Sequence, residues 1–373
     1  MKIAIVSPYI STTGDLGYYQ SQQINLAAEL VKFGEAVDII TSKRNPDQLD
    51  LEVLDCGVRI IRLPVFFRGG EAFLRQPVMR GLWSELKRGQ YDIIQSSEDF
   101  TLSTFLCALF VLTARSRLII YQGVYCRSRK RAAGALMALY DRIAGPVLKI
   151  ACSAAICKTS AAKRYLEDKG FKKASIIPVG VNTSIFSPNG RTCRPACELL
   201  SVGNLIPLKN FELLLDTFRI LSRLNSAARL TIVGTGPEGK KIATYAEQHG
   251  LKVALAGKVP NGKLKEYYSR ADLFLLMSRV EIFGMVILEA MACGCPVMST
   301  PTPGALDVIR DGHNGFIIDT DDPSRIARRI NHILLEREEL RSVREEAVRT
   351  ARKYSWPAIA GQYHSLYHGQ ING

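Results

Sequence analysis

Short β-branched runs that alternate with helical stretches, twice over, restrict this chain to a small set of architectures. In the first half the runs are Ile3–Ser7, Ala36–Thr41, Val58–Leu63, Asp92–Gln95, Leu118–Gln122 and Ser175–Pro178. Helical candidates such as Gln20–Phe33 and Gly81–Arg88 lie between them. The second half repeats the pattern with Glu198–Val202, Arg229–Val233, Val253–Ala256, Leu273–Leu276, Pro296–Thr300 and Gly315–Ile318. Its helices are predicted at Phe211–Leu224, Lys240–Gly250, Pro323–Glu336 and Glu338–Lys353. Such alternation predicts a parallel sheet covered by helices in each half. At 373 residues the chain is too long for one ordinary core. The segment Phe186–Ala196 is rich in turn formers and aperiodic, and it is the predicted joint between two Rossmann-like α/β domains.

Composition narrows the class. A hydrophobic fraction of 47% and a charged fraction of 23% describe a globular chain. No run reaches the roughly 18 apolar residues of a spanning helix; Thr101–Ala114 is apolar but short and predicts a buried helix. Met1 leads straight into a strand, with no leader architecture, and nine cysteines without zinc-site spacing read as reduced thiols. The expected location is therefore cytoplasmic.

Net charge is +14, and between Thr101 and Arg164 the only acid is Asp141, against basic residues that include Arg115, Arg117, Arg127, Arg129, Lys130, Arg131 and Arg142. No helix-turn-helix, zinc finger or RNA-binding signature accompanies them, so nucleic acid is not expected. Apolar and aromatic residues interleave with the charges at Gly134–Tyr140 and Pro64–Arg68, which favours peripheral contact with an anionic membrane surface.

The chemistry is concentrated in Ser278–Gly304. Glu281 and Glu289 bracket a Phe283-Gly284 turn, a small-residue helix follows, then a short strand Pro296–Ser299, then Gly304. Gly284 permits a tight turn and close approach of backbone to a ligand. The free N–H groups of the helix that begins at Met285 make an anion site. On a single helix, eight steps of about 100° would set the two carboxylates roughly 80° and two turns apart. Glu281 is therefore expected on the loop and Glu289 within the helix, each able to accept hydrogen bonds from sugar or ribose hydroxyls.

This segment resembles the donor-binding segment of retaining glycosyltransferases of family 4, which have the GT-B fold. Other stretches extend the resemblance. Ser201–Asn210 resembles the first strand-loop-helix of the donor domain, Val233–Pro237 its Gly-x-Gly-Pro turn, Gly257–Pro260 the segment beside the nucleotide base, and Gly304–Asp307 a Gly-x-x-Glu segment with aspartate last. The resemblance implies two facing Rossmann-like domains, 1–187 and 188–354, with a central cleft and a final helix, 355–373, that returns to the first domain. Trp356 is then a packing residue.

The resemblance also implies roles. Lys209, with the helix end, holds a diphosphate, and Gly203, Asn204 and Gly234 bring backbone close to it. Val259 meets the base, Glu289 the ribose, and Glu281 with Ile282, Phe283, Gly284 and Met285 the donor sugar. Gly17 and Gln122 face the reacting centre, and Glu281, Lys209 and Gln122 are the catalytic candidates. Neither a metal nor a cofactor is expected.

The chain departs from the family pattern in three ways. Asn204 stands where an arginine is common; loss of one preorganised donor costs about 3–4 kcal/mol of transition-state stabilisation. Gly17-Tyr18 replaces adjacent glycines. Gln95 and Gln122 occupy positions that are often histidine, and glutamine cannot act as a general base. The expectation is transfer of a sugar from a nucleoside-diphosphate sugar to a hydroxyl acceptor, a glycan or lipid-linked precursor of cell-surface polysaccharide. The alternatives are a degenerate, non-catalytic nucleotide-sugar-binding subunit and a nucleotide-sugar 2-epimerase.

Overall fold

The structure is a computed structural model in which residues 1–8, 21–43, 45, 47–67, 77–126, 131–188 and 197–372 are described. Gly17 and most of the Phe186–Ala196 segment fall outside them. Among the described residues, those up to Gly180 together with those from Trp356 onward form one compact unit, and Val181–Ser355 forms the other.

The first unit contains strands β1 (Lys2–Val6), β2 (Ala36–Ser42), β3 (Leu51–Val53), β4 (Arg59–Leu63), β5 (Val65–Phe67), β6 (Val78–Met79), β7 (Ile93–Ser97), β8 (Arg117–Gln122), β9 (Cys152–Cys157) and β10 (Ala174–Ile176). Eight of them make one sheet in the order β10-β9-β8-β7-β1-β2-β4-β3, while β5 and β6 form a separate antiparallel pair. Only β3, at the edge of the large sheet, runs antiparallel to its neighbour. Its helices are α1 (Gln22–Lys32), α2 (Leu82–Gly89), α3 (Leu102–Val111), α4 (Arg131–Ala151) and α5 (Ser160–Asp168). Ser21, Thr101 and Thr159 start three of these helices, each side chain accepting the backbone N–H three residues on.

Alternation sets the two faces. Ala4, Val6, Ile40, Ile94 and Ile120 belong to one core with Leu82, Leu86, Cys107 and Leu148. The apolar stretch 101–114 is α3, as expected, with Cys107 and Ala108 at 0% exposure.

The second unit carries β11 (Cys197–Val202), β12 (Ala228–Val233), β13 (Val253–Gly257), β14 (Leu273–Leu276), β15 (Val297–Ser299) and β16 (Phe316–Ile317), all parallel, in the order β13-β12-β11-β14-β15-β16. A one-turn helix, Pro207–Lys209, precedes α6 (Phe211–Leu224); then come α7 (Gly239–Gln248), α8 (Asn261–Arg270), α9 (Met285–Ala292), α10 (Pro303–Val308), α11 (Pro323–Leu335) and α12 (Arg337–Lys353). Leu199, Leu230, Leu273 and Leu275 pack against Phe211, Leu214, Phe218, Ile326 and Ile330 of α6 and α11. The chain leaves β11 to build one side of the sheet, then returns to build the other from β14. This is the doubly wound order, with its topological switch between β11 and β14.

The last helix, α13 (Trp356–Asn372), belongs to the first unit and packs on α1. Tyr363 and Tyr367 are buried there, and Tyr367 Oη donates to Gln95 Oε1 at 2.6 Å. Trp356 is a packing residue as expected: a Cβ on Gly180 would lie 2.4 Å from its ring. No helix of the described residues is long and apolar enough to cross a membrane.

Candidate functional site

The second unit gathers the predicted residues at the carboxyl ends of its strands, on both sides of the switch point. Gly203 and Asn204 follow β11 directly, Gly234 follows β12, and Val259 sits in the connection between β13 and α8. Asn204 is exposed and Val259 half-buried. The loop after β11 closes onto the loop after β14. Arg279 N–H donates to Leu208 O at 2.9 Å, and the Lys209 ammonium pairs with the Glu281 carboxylate. Both side chains are about one-fifth exposed (18% and 19%), so the pair is still open to solvent.

The glycines here serve backbone packing. A Cβ on Gly234, at φ +141°, would lie 1.9 Å from Gly203 O, and one on Gly236 2.4 Å from Leu205 O. The turn that follows β12 therefore cannot carry side chains there without displacing the loop that holds Asn204 and Lys209. Leu205 N–H donates to Thr235 O and Glu238 N–H to Leu205 O, both at 2.9 Å, which locks the two turns together.

Gly284 is the residue before α9, in the left-handed region at φ +80°, and no side chain caps the helix. Ile287 N–H turns back to Gly284 O at 2.9 Å, and the N–H groups ahead of it meet no side-chain cap, an arrangement that suits an anion. Phe283 is 4% exposed, Ile282 exposed and Met285 half-buried. Gly304 sits against this turn: a Cβ there would lie 1.9 Å from Phe283 O. The Gly304–Asp307 segment thus holds the Phe283-Gly284 turn in place through its backbone. Two hydroxyls nearby, Ser278 Oγ at the end of β14 and Thr302 Oγ1 before α10, are buried without a partner among the described residues.

The two glutamates separate as expected, Glu281 on the loop and Glu289 within α9. Their environments differ sharply. Glu289 is 3% exposed and accepts a 3.0 Å bond from Tyr268 Oη, itself fully buried against Phe186 and Phe274. Burial pushes its carboxyl up to about 7, against the smaller opposing effect of the tyrosine bond.

Gln122 lies elsewhere, at the end of β8 in the first unit, at 0% exposure. Its Oε1 accepts Asp99 N–H at 2.9 Å and its Nε2 donates to Val124 O at 2.8 Å. Each end of the amide is held by backbone, so the residue ties two loops together at the carboxyl edge of this sheet.

Those loops carry groups that sequence reasoning missed. Glu98, at φ +64°, accepts N–H bonds from Gly123 and Val124 at 3.1 Å. Burial pushes its carboxyl up, opposed by Lys158, and burial pushes the Lys158 ammonium down. Asp99 pairs with Lys169, which also reaches Asp141 at 2.6 Å. Nothing in the local sequence Ser97-Glu98-Asp99 announces a left-handed glutamate; only the fold brings Lys158 and Gly123 to it.

Two family models cover most of the described chain. The model of glycosyl transferases group 1 matches residues 196–350, and that of glycosyltransferase family 4 matches residues 22–185. The chain belongs to glycosyltransferase family 4.

A D-inositol 3-phosphate glycosyltransferase of Corynebacterium urealyticum is 25% identical to this family 4 chain over 98% of its length and 95% of the relative's. A second protein of that description, from Segniliparus rotundus, is 29% identical over 54% of this chain and 48% of its own length. For three curated relatives of that description, the matched region spans about half of their length or less. Among solved structures, sucrose-phosphate synthase of Thermosynechococcus elongatus superposes with a TM-score of 0.78 at 20% identity, covering 100% and 99% of the two chains. Anabaena HepE in complex with UDP gives 0.76 at 17% identity, covering 99% and 100%. These likenesses give the fold, that of GT-B glycosyltransferases.

Proposed function

We propose that this protein is a retaining glycosyltransferase that takes its sugar from a nucleoside-diphosphate donor held by the second unit. The observation that carries the reading is the convergence of Lys209, Glu281, the Gly203-Asn204 turn and the uncapped start of α9 at the carboxyl side of the β11–β14 switch. That is where open α/β sheets bind ligands. Solved HepE complexes contain UDP and UDP-glucose, which supports a donor of this class.

In the structure the Glu281 carboxylate pairs with the Lys209 ammonium. An incoming diphosphate competes for that ammonium and for the α9 N–H groups. Glu281 is then released to accept from donor-sugar hydroxyls beside Ile282, Phe283, Gly284 and Met285. Gly234 supports the diphosphate turn and Val259 meets the base. Glu289 serves the ribose, and its raised pKa makes its charge sensitive to pH near neutrality. Gln122 acts through the loops it ties, and Gly17 stands on the acceptor side. No step in this scheme calls for a metal or cofactor. The leaving phosphate oxygen takes the acceptor proton on the face of departure, so the anomeric configuration is retained and no histidine base is required.

The acceptor is a hydroxyl of a glycan or lipid-linked precursor of cell-surface polysaccharide, met at the inner membrane face. Support comes from α4, where Leu136, Leu139, Ile143 and Ile150 are exposed at helical spacing, beside Arg142 and Lys149. Flotation with anionic but not neutral vesicles at low salt is the expected result, and equal flotation with both overturns the membrane reading. The transfer itself is tested by offering inositol phosphate, malate and lipid-linked acceptors with a bound sugar nucleotide. Proton NMR then reads the anomeric configuration of the product. A retained configuration supports the proposal and an inverted one refutes it. Binding without turnover on any acceptor would favour a non-catalytic subunit.

A further inference from the structure

The first unit contains a second constellation, which shares no residue with the candidate donor site. Glu35 lies between α1 and β2 and is buried, with its side chain 4% exposed. His364 and His368 project from one face of α13, four residues and hence about one turn apart. The Glu35 Oε1 atom is 2.9 Å from His364 Nε2 and 3.0 Å from His368 Nε2, and the two Nε2 atoms are 3.0 Å from each other. Glu35 Oε2 is occupied separately, by the amino group of Met1 at 2.7 Å. The His364 ring stacks on Phe33 with centroids 4.9 Å apart, which fixes its orientation.

Three lone-pair atoms at the corners of a nearly equilateral triangle are poorly served by protons. Each Nε2 offers one site, either a hydrogen or a lone pair. If both rings donate to Oε1, two N–H groups face each other across 3.0 Å; if one donates to the other, that donor is diverted from the carboxylate. A cation satisfies all three at once. A point about 2.0–2.1 Å from every corner, the usual zinc–nitrogen and zinc–oxygen distance, lies just off the plane of such a triangle. The two imidazole side chains are 28% and 44% exposed, so the outward side is open to a solvent ligand in the fourth position.

We propose that Glu35, His364 and His368 form a site for a zinc-class divalent transition metal, which clips the returning helix α13 to the α1–β2 corner of the first unit. The donor set, two imidazoles and a carboxylate, suits zinc and cobalt and is a poor match for calcium or magnesium, which prefer all-oxygen shells. Among the described residues no other cluster of histidine, cysteine and carboxylate ligands comes together in this way. The metal joins segments more than 300 residues apart in sequence, so its effect falls on the docking of α13.

The test uses the whole protein, stripped with chelator and titrated with Zn²⁺ alone, beside the His364→Gln/His368→Gln variant. Both histidines are partly exposed, so the variant is expected to fold with an unchanged metal-free melting temperature. The parent should bind one Zn²⁺ per chain and melt several degrees higher with it. The variant should bind more than about 100-fold more weakly, since even outer-shell partners of a metal are worth 10–100-fold, and show no metal-dependent rise. Co²⁺ substitution gives the second readout: tetrahedral visible bands without a sulfur-to-metal charge-transfer band are expected. Equal affinity in parent and variant, a thiolate charge-transfer band, or no binding by the parent would each overturn the site. If the variant fails to fold, the Co²⁺ spectrum of the parent decides alone.

Discussion

Glu289 offers a prediction whose size follows from its surroundings. Its carboxyl sits at about 7 in the folded chain against an ordinary value of 4.5, because burial outweighs the hydrogen bond from Tyr268. The unfolded chain loses this proton near pH 4.5 while the folded chain keeps it until about pH 7. Between those values the folded state binds more protons, so stability falls as pH rises through the window and levels off above it. At about 1.36 kcal/mol per pH unit, the penalty reaches roughly 3 kcal/mol above pH 7.

Glu289→Gln keeps an oxygen for the Tyr268 hydroxyl and carries no charge. The variant's advantage should be under about 1 kcal/mol at pH 5 and grow to about 3 kcal/mol at pH 8. Urea unfolding followed by circular dichroism at pH 5, 6, 7 and 8 measures the difference, and titrations elsewhere in the chain cancel in it. Parallel curves for the two proteins, or a variant that loses ground as pH rises, would refute the reasoning. The same variant should also bind a sugar nucleotide more weakly, the exchange of stability for function expected of a buried charge in a binding site.

Three further outcomes are expected. Gly304→Ala places a methyl group 1.9 Å from Phe283 O, so the turn before α9 must move; a cost of about 1–3 kcal/mol is expected, with at least a tenfold loss of sugar-nucleotide affinity, read by melting and calorimetry. Tyr367→Phe strips the buried Gln95 Oε1 of its donor and should cost about 1–3 kcal/mol, visible as a lower melting temperature with the donor affinity unchanged. Lys169→Met leaves Asp99 and Asp141 facing each other without their shared cation; the loss should be about 3–5 kcal/mol at neutral pH and should shrink on acidification, as the Asp99 carboxyl, which burial pushes up, takes up its proton. A deficit that is constant between pH 4 and 8 would count against the ion-triad account.

What the sequence discloses and what it conceals divide along a physical line. Strands such as Lys2–Val6 and Ala228–Val233 are legible because they are short runs rich in β-branched residues. The Phe283-Gly284 turn is legible because a glycine ahead of a run of helix formers has few other uses. Strand β9, Cys-Ser-Ala-Ala-Ile-Cys, is not legible as a strand: its small residues carry little strand preference, and the helices on either side, α4 and α5, set no boundary for it. The short strands β3, β5 and β6 are likewise too brief for a period to emerge.

Side-chain roles are harder still, because partners arrive from a distance. Gln122 could be read as a free amide until Asp99, 23 residues away, was seen to occupy its oxygen. Glu289 could be placed on its helix, but its burial depends on Tyr268, 21 residues earlier. Gly234 is expected to bring backbone close to a diphosphate, and Gly304 opens a segment that resembles a family motif; the structure shows that each also admits a backbone carbonyl from a neighbouring loop. The Glu35–His364–His368 cluster spans almost the whole chain, and no local pattern could have joined its members.

The central claim is that a nucleoside-diphosphate sugar binds at the carboxyl ends of β11 and β14 through Lys209 and the start of α9. Metal-free titration calorimetry of the parent and of Lys209→Ala with UDP-, GDP-, ADP- and TDP-sugars tests it most directly. Saturable binding of one of these donors, weakened at least tenfold by Lys209→Ala, is the predicted result. No binding of any of them by the parent, or equal affinity in the two proteins, would contradict the account.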